Sequence, residues 1–263
     1  MLNQRQVNHL PKDIKILVAT QRPYWMPADP VYLPIQVGAE GKAPIGYTTD
    51  DTGNHISAKN PHFCELTAIY WAWKNLEADY IGLCHYRRYF TRKEVHNLEE
   101  KKEMVLTGSE WEHLLSGHSV VVADKRKYYI ESNYSHYIHA HPKEGLILAG
   151  QVIHELYPEY DEAFYLVMKR TWAHMFNMFV MRRDRYHQYC EWLFAVLFEV
   201  EKRLDISGYD PYNSRVFGFI GERLLDVWLE KQQIPYKEQN VSFLEKQNWL
   251  KKGSLFLLRK MKL

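Results

Sequence analysis

Residues 79–90 read DYIGLCHYRRYF and change character halfway along. Residues 80–84 form a short apolar run that is typical of a buried strand, and Gly82 lets another part of the chain pack closely against it. His85, Arg87 and Arg88 follow at once, interleaved with aromatic side chains. Because open α/β sheets bind ligands at the carboxyl ends of their strands, this change predicts a binding site.

The adjacent arginines indicate which ligand this site would take. Guanidinium groups bind phosphate oxygens bidentately and stay charged at any useful pH, so Arg87 and Arg88, with His85, are predicted to contact a diphosphate. The alternative is that both arginines form surface ion pairs and that the neighbouring aromatic residues belong to the core.

Composition restricts the classes to which the protein can belong. The 263 residues are 46% hydrophobic and 25% charged, which fits one large α/β domain or two small ones. The net charge of +2, from 34 basic and 32 acidic residues, gives no field that would favour nucleic acid as a partner.

The cysteines and the hydropathy pattern predict a cytoplasmic location. Cys64, Cys84 and Cys190 are far apart in apolar settings, as expected of reduced, buried thiols. Residues 1–13 lack the pattern of a signal peptide, and no apolar run approaches the length of a membrane span.

The first strand is predicted at residues 14–19, a continuous apolar run. Thr20 and Arg22 follow in a proline-containing loop, where a nucleotide-binding α/β fold would hold the base and the ribose. Because the chain has neither G-x-G-x-x-G nor a P-loop, the dinucleotide and Walker modes of binding are excluded.

A second loop is predicted at residues 41–61, which are rich in turn-forming residues. Asp50, Asp51, Lys59 and Asn60 could hold a ribose and a phosphate there. A plain solvated turn is the alternative.

The rest of the pattern predicts one domain with a mainly parallel sheet. A helix over residues 62–76, with Asn60 as its cap, would lead into the strand at residue 80 and complete a β-loop-α-β unit. Further elements are predicted as helices over 109–115 (capped by Ser109), 143–157, 158–170, 182–203 and 215–229, and as strands over 118–123 and 175–181.

Histidines recur in residues 134–141, which read YSHYIHAH. The H-x-x-H-x-H arrangement could bind a metal ion, but it meets no defined zinc spacing. A polar helix turn facing the substrate is the favoured interpretation, with Tyr134 and His141 as candidate acceptor-binding residues and no metal-ligating residue assigned.

Domain limits follow from these patterns: an N-terminal extension at 1–12, the α/β domain at 13–243 and a tail at 244–263. Residues 249–263 alternate apolar and basic residues, as in segments that lie on anionic membranes. Simple packing of the C-terminus is the alternative.

Several runs together resemble the DUF4422 family across about residues 13 to 243. They are KILVAT (15–20), YLPIQVG (32–38), DTG (51–53), KNP (59–61), CELT (64–67), YWAWKN (70–75), YIGL (80–83), HYRRY (85–89), NMF (177–179), EWLF (191–194), FGF (217–219) and ERL (222–224). The chain departs from the family at Gln21, where His is usual, and at His55, where Asn is usual.

The resemblance implies a GT-A-like glycosyltransferase of bacterial capsule, exopolysaccharide or O-antigen assembly. The implied reaction moves a sugar from a UDP-linked donor, with galactofuranose or galactopyranose left open, to a lipid-linked oligosaccharide on the cytoplasmic face of the membrane. A non-catalytic sugar-binding or polysaccharide-assembly protein with the same fold is the alternative.

The resemblance also bears on the cofactor. Many GT-A enzymes hold a divalent metal ion with an Asp-x-Asp motif at the end of the strand that corresponds to residues 80–84. This chain has His85, Tyr86 and Arg87 there, so cationic side chains are expected to neutralise the leaving diphosphate. Asp50 and Asp51 keep a site for Mn²⁺ or Mg²⁺ open as an alternative.

The GT-A resemblance places the general base of an inverting transfer near the start of a late helix, after a glycine-rich loop. Residues 218–223 read GFIGER, which makes Glu222 the candidate base, with Asp210, His139 and His141 as further candidates. A position at the helix start would lower the pKa of Glu222 through the helix dipole. Gly218 and Arg223 are predicted to contact the acceptor.

Overall fold

The computed structural model describes residues 12–245 and contains one central sheet with helices on both faces. Its strands are β1 (Ile14–Thr20), β2 (Tyr32–Gln36), β3 (Thr48–Thr49), β4 (Tyr80–His85), β5 (Arg88–Phe90), β6 (Val120–Ala123), β7 (Arg126–Lys127), β8 (Trp172–Ala173), β9 (Phe179–Arg182), β10 (Lys237–Gln239) and β11 (Val241–Phe243). The helices are α1 (Asn60–Phe63), α2 (Leu66–Asn75), α3 (Leu98–Glu103), α4 (Gly108–Ser116), α5 (Asn133–Ala140), α6 (Glu144–Leu156), α7 (Asp161–Lys169), α8 (Arg183–Arg203) and α9 (Val216–Gln232). Short 3₁₀ turns lie at Ser57–Lys59, Pro158–Tyr160 and Asn213–Arg215.

The main sheet has the strand order β10-β6-β9-β4-β1-β2-β3. Neighbouring strands are parallel, except that β9 runs antiparallel to both β4 and β6. β5 turns back from the end of β4 and pairs with β11. The predicted mainly parallel α/β sheet is therefore confirmed, with β9 as a reversed strand between β6 and β4.

Both faces of the sheet are covered, which explains why β1 and β4 read as continuous apolar runs. Leu17 on β1 faces the larger cluster, which is built with α2, α6, α8 and α9. Val18 faces the smaller cluster, which contains Trp111 of α4. The alternation of neighbouring side chains across the strand thus supplies both cores.

Gly82 has the role that the sequence predicts for it. A Cβ at this position would lie 2.6 Å from the backbone oxygen of Phe179 on β9. The close approach of β9 to β4 therefore needs a residue without a side chain.

Two predicted helices differ from the structure. The predicted helix over residues 62–76 is broken into α1 and α2 at Cys64, where φ is 53°. Asn60 is the first residue of α1, and its amide donates to the backbone oxygen of Cys64 and to Thr67. Thr107, not Ser109, is the N-cap of α4, because Thr107 and Glu110 form a capping box.

Some predictions fall on the chain ends. Most of the predicted N-terminal extension and the proposed membrane tail at 249–263 lie outside the described residues. Across residues 12–245, no helix combines the length and apolar character needed to cross a membrane. Within the same range, Cys64, Cys84 and Cys190 are buried and free.

Candidate active site

A cleft of about 1130 Å³ opens at the carboxyl ends of β1 and β4. One side, here called the strand-end wall, consists of Arg22, His85, Arg87 and Arg88. Another part of the lining, here called the helix wall, consists of Glu65, Gly218, Glu222 and Arg223. The change from apolar to cationic residues after β4 therefore does mark the edge of a cavity.

Ten of the predicted site residues line this cleft. They are Thr20, Arg22, Asn60, His85, Arg87, Arg88, His141, Gly218, Glu222 and Arg223. His141 stacks on Phe219, with ring centroids 4.0 Å apart, and both rings lie beside Tyr212 at the mouth of the cleft.

Six predicted residues lie outside the lining: Asp50, Asp51, Lys59, Tyr134, His139 and Asp210. Asp50 is fully buried, and its carboxylate accepts from the backbone N–H groups of Gly38 and Ala39 and from two hydroxyls. It therefore holds together the loop that follows β2.

Three of the other displaced residues also have partners of their own. The Lys59 ammonium is 2.6 Å from Glu201, and the His139 ring is 2.7 Å from Glu131. Asp210 accepts from the backbone N–H groups of Tyr212 and Asn213, and these bonds lower its pKa. Asp210 thus shapes the turn that carries Tyr212.

The two departures from the family pattern differ in position. Gln21 lines the cleft and donates to the Asn60 side-chain oxygen at 2.6 Å. His55 lies outside the lining, beside Glu40 and Ser57. Of the two, Gln21 is the one positioned to contact a ligand in the cleft.

On the strand-end wall, two arginines from different strands share one carboxylate. Arg22 lies just after β1 and Arg87 just after β4, and they donate to the two oxygens of Glu245 at 3.0 and 2.9 Å. The parallel pairing of β1 and β4 brings the two guanidinium groups together. This pair therefore holds the Glu245 carboxylate between the two strand ends.

His85 is uncharged at neutral pH, which corrects its interpretation as a cation. Its Nε2 donates to the backbone oxygen of Phe176 at 2.8 Å, because a carbonyl oxygen can only accept. Burial and the nearby charge of Arg88 lower the His85 pKa to about 3. The neutral ring leaves Nδ1 as an acceptor, so His85 can receive a hydroxyl but cannot donate to a phosphate through that atom.

Arg88 lies between aromatic rings. Its guanidinium is 4.4 Å from the ring centre of Phe176 and 5.4 Å from that of Phe243. Burial lowers the pKa of Arg88, and its buried Nε has no hydrogen-bond partner among the described residues. The site therefore retains an unused cationic donor.

Glu222 differs from its prediction in position and in charge behaviour. α9 begins at Val216, so GFIGER lies inside the helix and Glu222 belongs to its second turn. Burial raises the pKa of Glu222, and the charge of Glu65 raises it further, against the lowering effect of Arg223. The expected lowering by the helix start is wrong because Glu222 is too far along the helix and too deeply buried.

Both oxygens of Glu222 are engaged. One accepts from the Phe176 backbone N–H at 3.2 Å, and the other accepts from Arg223 at 2.8 Å. Arg223 is 1% exposed and also donates to His136, whose pKa is lowered to about 3 by burial and by Arg223. These bonds tie α9 to α5 and to the segment before β9.

Three residues in or beside the helix wall are not among the predicted site residues: Glu65, Asn177 and Arg215. Glu65 lines the cleft and accepts from the buried Asn177 side chain at 2.7 Å. Arg215 donates to the Cys64 sulfur at 3.1 Å. Glu65 and Asn177 belong to the family-like runs CELT and NMF, and this membership is the sequence signal that indicates a functional role for them.

Backbone strain is concentrated beside this group. Cys64, Phe176 and Asn177 have φ values of 53°, 76° and 52°, a region that favours glycine. Each such residue costs about 1–3 kcal/mol, and such residues cluster at functional sites. The strained positions immediately flank Glu65 and its partner Asn177.

Two glycines of α9 allow the helix wall to form. A Cβ on Gly218 would lie 3.0 Å from the Cys64 sulfur, and one on Gly221 would lie 3.0 Å from Leu66. The missing side chains let α9 pack directly against the junction of α1 and α2. Glu222 is thereby brought near Glu65.

The residues at the end of β4 do not fit a divalent metal ion. Hard cations prefer oxygen ligands, whereas this position offers a neutral imidazole and guanidinium groups. Asp50, the other candidate, is consumed by internal hydrogen bonds. Among residues 12–245, no group of three His, Cys, Asp or Glu side chains could hold a metal ion.

Comparison with known proteins agrees with this architecture. A solved structure described as the apo form of WbbM, a bifunctional glycosyltransferase, is 31% identical and superposes with a TM-score of 0.82, over 89% of this chain and 46% of that chain. The chain therefore spans less than half of that protein, and the likeness confirms the GT-A-like fold class. No match was found among curated proteins. The family model for DUF4422, a domain of unknown function, matches residues 15–233, so the chain belongs to the DUF4422 family.

Proposed function

We propose that this protein is a glycosyltransferase that moves a sugar from a nucleotide-diphosphate donor to a carbohydrate hydroxyl. The likeness to a bifunctional glycosyltransferase supports this class of reaction. The donor is a UDP-linked galactose in the furanose or pyranose form, as the family resemblance favours. The transfer is inverting, and the acceptor is a lipid-linked oligosaccharide.

The observation that carries the proposal is the carboxylate of Glu245 held between Arg22 and Arg87. A carboxylate bound by two guanidinium groups occupies the place that a phosphate group would take. Arg88 lies next to this pair and has an unpaired Nε. A donor diphosphate would displace Glu245 and use all three arginines.

The same arginines would do the work for which many GT-A enzymes use a metal ion. As the bond between the sugar and the diphosphate breaks, negative charge develops on the leaving phosphate, and fixed cations stabilise it. The proposed reaction therefore needs no divalent cation. Full activity in excess EDTA is the expected result, whereas loss of activity with rescue by Mn²⁺ would contradict it.

Action at the cytoplasmic face of a membrane is part of the proposal. Residues 249–263 combine apolar residues with lysines and an arginine, a pattern that favours anionic lipid surfaces. Deleting residues 251–263 should reduce sedimentation with anionic liposomes, and unchanged sedimentation would contradict membrane docking.

The decisive experiment incubates the protein with a panel of nucleotide sugars and with lipid-linked or synthetic glycan acceptors. Nucleotide release and acceptor extension are then followed for each pair. Extension with at least one UDP-hexose is the expected result. Binding of nucleotide sugars without turnover on any acceptor would instead support the non-catalytic sugar-binding alternative.

A further inference from the structure

We infer that Glu65, not Glu222, is the catalytic residue that accepts the proton of the acceptor hydroxyl. This inference rests on the proposed glycosyl transfer and names the base within that site. Glu65 lines the cleft at the junction between α1 and α2, immediately after the strained Cys64.

The carboxylates of Glu222 and Glu65 differ in the hydrogen bonds that they accept from other residues. Glu222 has one oxygen on the Phe176 N–H and the other on Arg223. Glu65 accepts from one other side chain, the Asn177 amide, and its remaining hydrogen bond comes from its own backbone N–H. A base must accept the proton of the hydroxyl that it deprotonates, and Glu65 lines the cleft without the ion pair to an arginine that occupies Glu222.

The backbone around Glu65 is held in an unfavourable conformation. Cys64 has φ 53° and ψ −133°, and Asn177 has φ 52°. Cys64 packs against Gly218, and Asn177 also donates to the Gly218 backbone oxygen at 3.3 Å. Both strained residues are therefore fixed by α9, and together they set the position of the Glu65 carboxylate.

The charges around Glu65 suit a base. It is faced by Glu222 of α9, Arg88 of β5, Arg215 before α9 and the Cys64 thiol, besides Asn177. Burial raises the pKa of Glu65, while Asn177, Arg215 and Arg88 lower it. The Cys64 pKa is raised to about 12 by burial, so the neighbouring thiol stays protonated and neutral.

The step balances without another reactant. The Glu65 carboxylate takes the proton as the acceptor oxygen forms its bond to the anomeric carbon. The bond between that carbon and the diphosphate oxygen breaks, and the electron pair leaves with the diphosphate beside Arg88. Glu222 acts as a positioning residue, since it holds the Phe176 backbone whose carbonyl in turn orients His85.

The first test is Glu65→Gln, which keeps an oxygen for Asn177 but cannot take a proton. We expect kcat to fall on the order of 10²- to 10⁴-fold while UDP affinity in titration calorimetry stays within about 3-fold. In Glu222→Gln, kcat should fall less than in Glu65→Gln, and the acidic limb of the kcat–pH profile should remain. Glu155→Gln, which alters an exposed pair with Arg203 far from the cleft, is the matched control and should behave as wild type.

The second test is Asn177→Ala, which removes the hydrogen bond that lowers the Glu65 pKa. The acidic limb of kcat should move to higher pH, a result that a merely structural role would not produce. This variant also covers the case in which Glu65→Gln fails to fold.

Three outcomes would overturn the inference. These are near wild-type kcat in Glu65→Gln, a larger loss in Glu222→Gln than in Glu65→Gln, and an unmoved acidic limb in Asn177→Ala. If wild-type protein transfers no sugar from any donor, the proposed function itself fails, and that result is separate from these three.

Discussion

The two walls of the cleft hold arginine–carboxylate pairs of opposite kinds. On the strand-end wall, the side chains of Arg22, Arg87 and Glu245 are 56%, 40% and 34% exposed. On the helix wall, Arg223 is 1% exposed and Glu222 is 14% exposed. The same chemistry thus occurs once at the surface and once in the interior.

The difference in burial indicates that the exposed pair can exchange its carboxylate for a ligand and that the buried pair stabilises the fold. An exposed ion pair contributes about 0–1 kcal/mol to stability, so Glu245 can give way to a ligand at little cost. A buried pair that loses one partner leaves an uncompensated charge. The strand-end wall is therefore suited to exchange of anions, and the helix wall to holding groups in fixed positions.

Removing the buried cation should give the largest effect. Arg223→Ala leaves Glu222 buried without its cation, and we expect the free energy of unfolding to fall by about 3–5 kcal/mol. Denaturant unfolding measures this change. Arg203→Ala, at an exposed pair, is the control and should cost at most ~1 kcal/mol. Equal losses in the two variants would remove the distinction between the walls.

Removing an exposed cation should affect donor binding more than stability. Arg87→Ala loses one charge-assisted contact to the diphosphate, which is worth about 1.5–3 kcal/mol and corresponds to a donor KM about 10- to 100-fold higher. Steady-state kinetics and a thermal melt report the two quantities. An unchanged KM together with a lowered melting temperature would make Arg87 a structural residue.

The close packing of the helix wall can be tested at a glycine. Gly218→Ala would press a methyl group against the Cys64 sulfur, and we expect a loss of about 1–3 kcal/mol in unfolding free energy. Gly117→Ala is the control, because nothing lies within 4 Å of the added Cβ. A fully stable Gly218→Ala variant would show that α9 can move away from the α1–α2 junction.

The smallest expected effect is at Glu245. Glu245→Gln removes the negative charge that competes with the donor between Arg22 and Arg87, so the donor KM should decrease by up to about 5-fold. Donor titrations at low ionic strength would measure it. A higher KM would mean that Glu245 helps to bind the donor instead of competing with it.

The strand ends could be predicted from the sequence, because apolar runs and the charges after them carry a direct signal. The strand-end wall was found in this way, through Arg22, Arg87 and Arg88. The charge state of His85 could not be found, since it depends on burial and on a hydrogen bond to Phe176, 91 residues away in the chain.

The helix wall was harder to predict. Periodicity runs on through Cys64, and nothing in a cysteine indicates the positive φ that breaks the helix there and places Glu65 at the cleft. Apart from its place in the family-like run NMF, nothing in the sequence indicates the position of Asn177 either. The sequence does indicate Glu222 but not its environment. Gly218 and Gly221 suggest a loop before the helix, whereas α9 already begins at Val216 and includes both glycines.

We propose that arginines at the ends of β1 and β4 hold the donor diphosphate without a metal ion. Titration calorimetry of UDP in excess EDTA, with wild-type protein and with the Arg22→Ala/Arg87→Ala double variant, measures this binding. We expect wild type to bind UDP and the double variant to bind it at least about 100-fold more weakly. UDP binding by wild type that requires Mn²⁺, or equal binding by both proteins, would contradict it.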